Sequence, residues 1–227
     1  MRWCTSPHPP RPRRRGWHTR RKPCARPIGK FGALLLLPHT LGIVLLGSVG
    51  YASFISLRGL WLGPMLMQRH GFSLVQCGNV ALVMSLASLI GPPLFGRLDP
   101  GPLHRRRWIV GFTLLFSGLF AAFALTHSTL IDVAGPIMIG ALSGYLVLQY
   151  ADVRAAYPAT LTGRAMAVFT MAMFMGVAAM QWLTGIVASV AIAHGTDPFT
   201  AVLASIAALL AAGALAFTLL PGPAHQA

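Results

Sequence analysis

The chain has 227 residues, of which 55% are hydrophobic and only 10% charged, with four aspartates and no glutamate. A soluble globular domain carries about a quarter charged residues, so this composition excludes one with a fully solvated surface. The net charge of +14 is concentrated, with ten of the eighteen basic residues in the first thirty positions, which fits the cytoplasmic bias of a membrane protein better than a basic nucleic-acid-binding domain.

Residues 1–30 hold the runs Arg13-Arg14-Arg15 and Arg20-Arg21-Lys22, six prolines and almost no aliphatic side chains. Such a leader buries too little apolar area to offset its ordering entropy and is expected to be disordered. Its length and late apolar stretch do not match a secretory signal. Residues 31–40 read as an interfacial lead-in, because Phe31–Leu37 falls short of the roughly 20 apolar residues a span needs. Spans are then predicted over Leu41–Met67, Leu74–Phe95, Trp108–Leu125, Leu130–Tyr150, Ala165–Ala193 and Pro198–Leu220. The fold class is therefore all-α, a membrane bundle of six helices over residues 41–220, with a short tail over 221–227.

Boundary residues agree with this division. Asp197 before Pro198 is an N-cap acceptor followed by a proline in the first helical turn. Pro221-Gly222-Pro223 ends the last helix. Asp152 to Arg164 reads as a polar connection broken by Tyr157-Pro158 and Gly163. With both termini cytoplasmic, sixteen Lys/Arg lie on the inner side and one, Arg69, on the outer. That asymmetry sets the expected orientation. The expected location is a bacterial inner (plasma) membrane.

Cys4, Cys24 and Cys77 form no zinc or disulfide pattern. No nucleophile–base pair, phosphate loop or metal cluster is present, so neither an enzyme nor a cofactor is expected. Met171, Met173 and Met175 cannot converge on one ion, because alternate residues of a helix point about 200° apart.

Arg58 stands out within the first span. A charge at such depth costs roughly 2.5–3.5 kcal/mol on insertion scales, and normally faces a bundle interior or a water cavity. There it would bind an anionic group; the alternatives are snorkelling to the interface or a structural pair. Gly59, Gly63 and Pro64 beside it suit either a cavity wall that bends or close helix packing. Asn79, Tyr145, Gln149 and Gln181 are further polar residues in apolar runs. They are candidates for the same cavity or for interhelical hydrogen bonds, and Tyr145 and Gln149 share a helix face. Gly140 and Gly144 suggest close packing.

Two loops carry a family resemblance. Gly96-Arg97-Leu98-Asp99-Pro100-Gly101-Pro102-Leu103-His104-Arg105-Arg106-Arg107 resembles the cytoplasmic signature loop of the major facilitator superfamily (MFS) of transporters, with Asp99 set closer to the glycine than that pattern has it. Tyr157-Pro158 through Gly163-Arg164-Ala165 resembles the stretch before that family's eleventh helix. The resemblance implies that residues 41–220 correspond to helices seven to twelve, the C-terminal half of a secondary transporter of a small solute. It implies that Gly96, Asp99, Arg105, Arg106 and Arg107 form a cytoplasmic gate loop and that Arg58 faces a central substrate cavity. Since that family has twelve helices, the expected partners besides the lipid bilayer and a small solute are a separate N-terminal six-helix half or a second copy of this chain. A non-transporting scaffold or inactive fragment is the alternative. Nucleic acid is not an expected partner, because anionic lipid attracts the leader equally.

Overall fold

The computed structural model describes residues 38–157 and 159–219. The leader, residues 31–37 of the lead-in and the tail lie outside them, and residues 38–40 form the first turn of the first helix. Six long apolar helices follow: α1 over Leu41–His70, α2 over Leu74–Arg97, α3 over Pro102–Leu125, α4 over Thr129–Ala156, α5 over Ala159–Ala193 and α6 over Pro198–Leu219. Helices dominate for a physical reason. Hydrocarbon offers backbone N–H and C=O groups no partner, and an α-helix satisfies them within one segment.

Several helices run past their apolar stretches. α3 begins at Pro102 rather than Trp108, α4 continues to Ala156 rather than Tyr150, and α5 begins at Ala159 rather than Ala165. The connection between α4 and α5 is therefore two residues long, not the Asp152–Arg164 loop expected. Polar residues do not by themselves end a helix; α4 ends where Tyr157 turns extended, at φ −125° and ψ 144°, the conformation favoured before a proline in the sequence. At the α2–α3 turn Gly101 takes φ 79°, a left-handed conformation that suits glycine, and Pro102 opens α3.

The helices pack chiefly as α1 on α5, α2 on α4 and α3 on α6. Glycines set the α2–α4 approach. A methyl group on Gly144 would lie 2.1 Å from the carbonyl carbon of Gly91, and one on Gly140 would lie 2.4 Å from the Met84 carbonyl oxygen. The backbones touch where side chains would hold them apart, as small residues permit in membranes. Rings fill the α3 side of the core: Phe116, Phe120 and Phe123 are fully buried.

At the end of the bundle where α1 finishes, charged groups tie three helices together. Arg69 forms an ion pair with Asp197 and donates to Thr200 Oγ1 at 2.9 Å, and its Nη1 lies 3.7 Å from the carboxylate of Asp132. His70 Nε2 is 2.7 Å from Asp132 Oδ2, and its Nδ1 is 3.1 Å from Thr129 Oγ1. Asp132 is fully buried near the start of α4. Asp197 caps α6, accepting from the backbone N–H groups of Phe199 at 3.2 Å and Thr200 at 3.1 Å. Burial pushes the Asp197 carboxyl up, but hydrogen bonds from Thr200, Arg69 and Phe199 outweigh it and hold the pKa at about 2.

Two outcomes follow from this packing. Gly144→Leu should lower the thermal midpoint of the detergent-solubilised protein markedly, since overpacking costs about 1–3 kcal/mol or more. Gly185→Leu, where a Cβ meets nothing within 4 Å, should leave it nearly unchanged. Asp197 has a folded pKa below the ordinary carboxylate value, so its contribution is present above about pH 4 and lost as pH falls toward the folded value of about 2. The melting midpoint of the wild type minus that of Asp197→Asn, followed against pH, should be flat near neutrality and shrink over that acid window. Parallel profiles would show that the ionised Asp197 carboxylate contributes nothing beyond a neutral cap.

Candidate solute site

Within α1 the hydrogen-bond ladder changes register. Residues Leu57–Trp61 form a π-turn, and the Leu62 N–H donates to the Leu57 carbonyl, five residues back. Pro64 explains the change. It has no N–H for the Leu60 carbonyl, and its ring would collide with that group in a regular helix. A π-turn relieves such a conflict and re-aims the side chains on it. Arg58 lies on this turn.

Arg58 is exposed and lines a groove of about 510 Å³ between α1 and α2, with Ile55 and Gly59 on one wall and Gly78, Ala81, Leu82 and Ser85 on the other. Among the described residues, a methyl group on Gly59 or Gly63 would meet nothing within 4 Å, so neither glycine marks a close helix approach there. Among the described residues Arg58 has no ion-pair partner.

A second hollow of about 240 Å³ is bounded by Tyr51 and Phe54 of α1, Ser88 and Pro92 of α2, Ser143, Leu146, Val147 and Tyr150 of α4, and Met173 and Phe174 of α5. The two hollows are neighbours. Ile55 lines the first and Phe54 the second, and on α2 the stripe Gly78, Ala81, Ser85, Ser88, Pro92 passes from one to the other at helical spacing. Together they form one face made from α1, α2, α4 and α5.

The other candidates are placed differently. Tyr145 lies in a one-turn 3₁₀ segment of α4 and is fully buried. Its ring meets Phe116 edge-on at 5.2 Å, and its hydroxyl receives a 3.3 Å hydrogen bond from Thr113. Gln149 is also fully buried, and neither amide atom has a partner among the described residues. Both side chains face Gly50: a methyl there would lie 2.9 Å from Tyr145 Oη and 3.8 Å from Gln149 Nε2. The pair shares a face, but that face is packed against α1 and lines neither hollow. Asn79 is exposed on α2, one residue round from Gly78 and turned off the groove, and Gln181 is half-buried on α5. Met173 is buried while Met171 and Met175 are 60% and 68% exposed, so the three methionines diverge.

The α2–α3 loop is organised by charge. Asp99 accepts from Arg105 Nε at 3.0 Å and Nη2 at 2.5 Å, and from the Gly101 N–H at 3.1 Å. The hydrogen bonds from Arg105, against the opposing effect of burial, hold the Asp99 carboxyl below the ordinary range. Arg105 reaches on to the Ala151 carbonyl of α4 at 3.3 Å, and Arg106 donates to the Phe217 carbonyl of α6 at 2.5 Å. Gly96 and Arg107 are exposed. Thus Asp99, Arg105 and Arg106 join α2, α3, α4 and α6 at one end, and Gly96 and Arg107 stand outside that cluster.

Sequence reasoning missed the opposite cluster of Arg69, His70, Asp132 and Asp197. The signal was present: these charges sit at ends of three different spans, and a six-span topology puts all those ends together. It also missed the wall opposite Arg58, because small residues such as Gly78, Ala81 and Ser85 mark no chemistry by type.

No protein-family model matches the chain, and no curated protein sequence matches it. Among solved structures, a bacterial homologue of the human lysosomal transporter Spinster, in an inward-facing and unoccupied conformation, superposes with a TM-score of 0.52 at 18% sequence identity. The match covers 85% of this chain and 47% of that one, so the chain spans about half the length of the transporter it resembles. The identity is low enough that the likeness concerns fold. By fold, the described residues form an all-helical bundle of six helices long and apolar enough to cross a membrane, similar to that transporter.

Proposed function

We propose that the chain acts as one six-helix half of an MFS-like secondary transporter that moves a small solute, with the face of α1, α2, α4 and α5 turned toward a second bundle. The observation that carries this reading is Arg58: a permanent cation on a π-turn, in an open groove, with no ion-pair partner among the described residues. A structural arginine would sit against a carboxylate, and a snorkelling one would have to reach the end of the apolar run at Met67, nine residues and about 14 Å of helix away. An anionic solute in a water-filled cavity supplies the missing partner. The span of 47% of a related fold favours a second bundle, either a separate six-helix protein or another copy of this chain.

In this reading both termini are cytoplasmic in a bacterial inner membrane, as the sixteen-to-one distribution of basic residues suggests. The Asp99–Arg105 pair and Arg106 then lie at the cytoplasmic end as gate residues, and the Arg69–Asp132–His70–Asp197 cluster lies at the outer end. Exchange of these ties for others during alternating access is the role they would have in such a bundle.

The test is uptake by proteoliposomes containing the protein in whatever assembly it is purified, using radiolabelled lactate, succinate, 3-phenylpropionate and inorganic phosphate. At least one anion should accumulate, and Arg58→Ala should reduce that uptake by about tenfold or more, the order expected for loss of a charged contact. The thermal midpoint of Arg58→Ala should match the wild type, because an unpaired charge adds no native contact. Absence of anion uptake by the wild type, or equal uptake by both proteins, would favour a scaffold without transport activity.

A further inference from the structure

We infer that the solute class of this face is an aromatic monocarboxylate, its carboxylate on Arg58 and its ring in the hollow between Tyr51, Phe54, Tyr150 and Phe174. The inference rests on the reading above that the face binds a solute, and adds what that solute must be.

Charge sets the head group. Among the described residues, Arg58 is the charged side chain lining the groove, and no carboxylate lines either hollow. One guanidinium matches one carboxylate in a paired, two-hydrogen-bond geometry. A dianion would leave its second charge against apolar walls.

Hydrogen bonding sets the body. The three serines along the face have already committed their protons. Ser85 donates to the Ala81 carbonyl at 2.6 Å, Ser88 to the Ser85 carbonyl at 2.7 Å and Ser143 to the Gly140 carbonyl at 2.6 Å. A hydroxyl has one proton to give, so these residues offer a ligand shape and no donor. Apart from the Tyr51 and Tyr150 hydroxyls in the ring hollow, a polyol or sugar would find few side-chain partners there, and burying unpaired hydroxyls is costly. An apolar body meets no such penalty.

Rings and size set the far end. Tyr51 and Phe174 already meet edge-on, with centroids 5.8 Å apart, so a third ring finds both a face and an edge. A cavity of about 150 Å³ accommodates benzene. The hollow of about 240 Å³ therefore suits one ring with a short linker. Along α1, Arg58 follows Phe54 by four residues and Tyr51 by seven, roughly 6 and 10 Å of rise. A chain of two or three carbons sets ring centre and carboxylate about 5–7 Å apart, which matches the Phe54 spacing.

The test is equilibrium binding of tritiated 3-phenylpropionate to the full-length protein in detergent, which reads binding apart from transport. Binding should saturate at one per chain. Arg58→Gln should weaken it about tenfold or more, and so should Ser88→Phe, which fills the ring hollow from α2. The two variants act at opposite ends of the ligand, so a folding fault in one leaves the other informative. Competition by 3-phenylpropylamine should fail, and lactate should compete at least about tenfold more weakly than unlabelled 3-phenylpropionate. Unchanged affinity in both variants, or equal competition by the amine, would overturn the assignment. Displacement by phosphatidylglycerol at one per chain would assign the face to lipid instead. If the wild type fails to bind 3-phenylpropionate yet carries another of the tested anions in an Arg58-dependent way, the aromatic class falls and the transporter reading stands. Arg58-dependent binding without any uptake would do the reverse.

Discussion

A fixed positive charge far from either end of a membrane-spanning helix constrains everything around it. The hydrocarbon interior gives Arg58 neither water nor a counter-ion, and the cost on insertion is a few kcal/mol unless the surroundings supply one or the other. The structure answers with space. Gly59 and Gly63 on α1 and Gly78, Ala81 and Ser85 on α2 keep the helices from closing over the guanidinium. The π-turn forced by Pro64 sets the register of α1 at that depth. The opposite side of α1 is packed, with Phe54, Leu57 and Leu62 buried, and the rest of the core draws on the buried phenylalanines of α3 and the glycine contacts of α2 with α4.

The two ends of the bundle are braced while its middle is open on one face. At one end Arg69 and His70 hold Asp132 and Asp197; at the other Arg105 holds Asp99 and reaches the Ala151 carbonyl of α4. Each brace links the ends of helices that are distant in sequence, so each resists splaying of the bundle where lipid packing is weakest. Partly buried ion pairs of this kind act by specifying geometry, since desolvation offsets much of their attraction. With the ends held, α1, α2, α4 and α5 present a hollow wall with a cation at one point and aromatic rings beside it. In the proposed reading that wall is one side of a binding site, and the fold match spans 47% of the transporter the chain resembles.

The spans were legible in the sequence because hydropathy reports directly on what lipid tolerates, and each of the six lies within a helix of the structure apart from the final residue, Leu220, beyond the described part. Their ends were less legible. Hydropathy follows the membrane, whereas the helices of residues 102–107, 151–156 and 159–164 continue into polar sequence until a proline or a glycine turn stops them. Arg58 was legible because a charge in an apolar run has few explanations. Tyr145 and Gln149 carried a similar polar signal but went to the core, against Thr113 and Gly50, because helix rotation about its axis is set by packing and not by polarity alone. Asp132 gave its signal only in combination with Arg69 and His70, which requires knowing which helix ends meet.

Water access to the Arg58 groove tests the central claim most directly. In a background with Cys4, Cys24 and Cys77 replaced, single cysteines at Ser85 and at Ile90 sit on different sides of α2, the first in the groove and the second 66% exposed away from it. If α1, α2, α4 and α5 wall a water-filled cavity, a membrane-impermeant maleimide added to intact cells or inside-out vesicles labels Ser85→Cys and spares Ile90→Cys. Protection of both positions would place the groove in lipid and contradict the account.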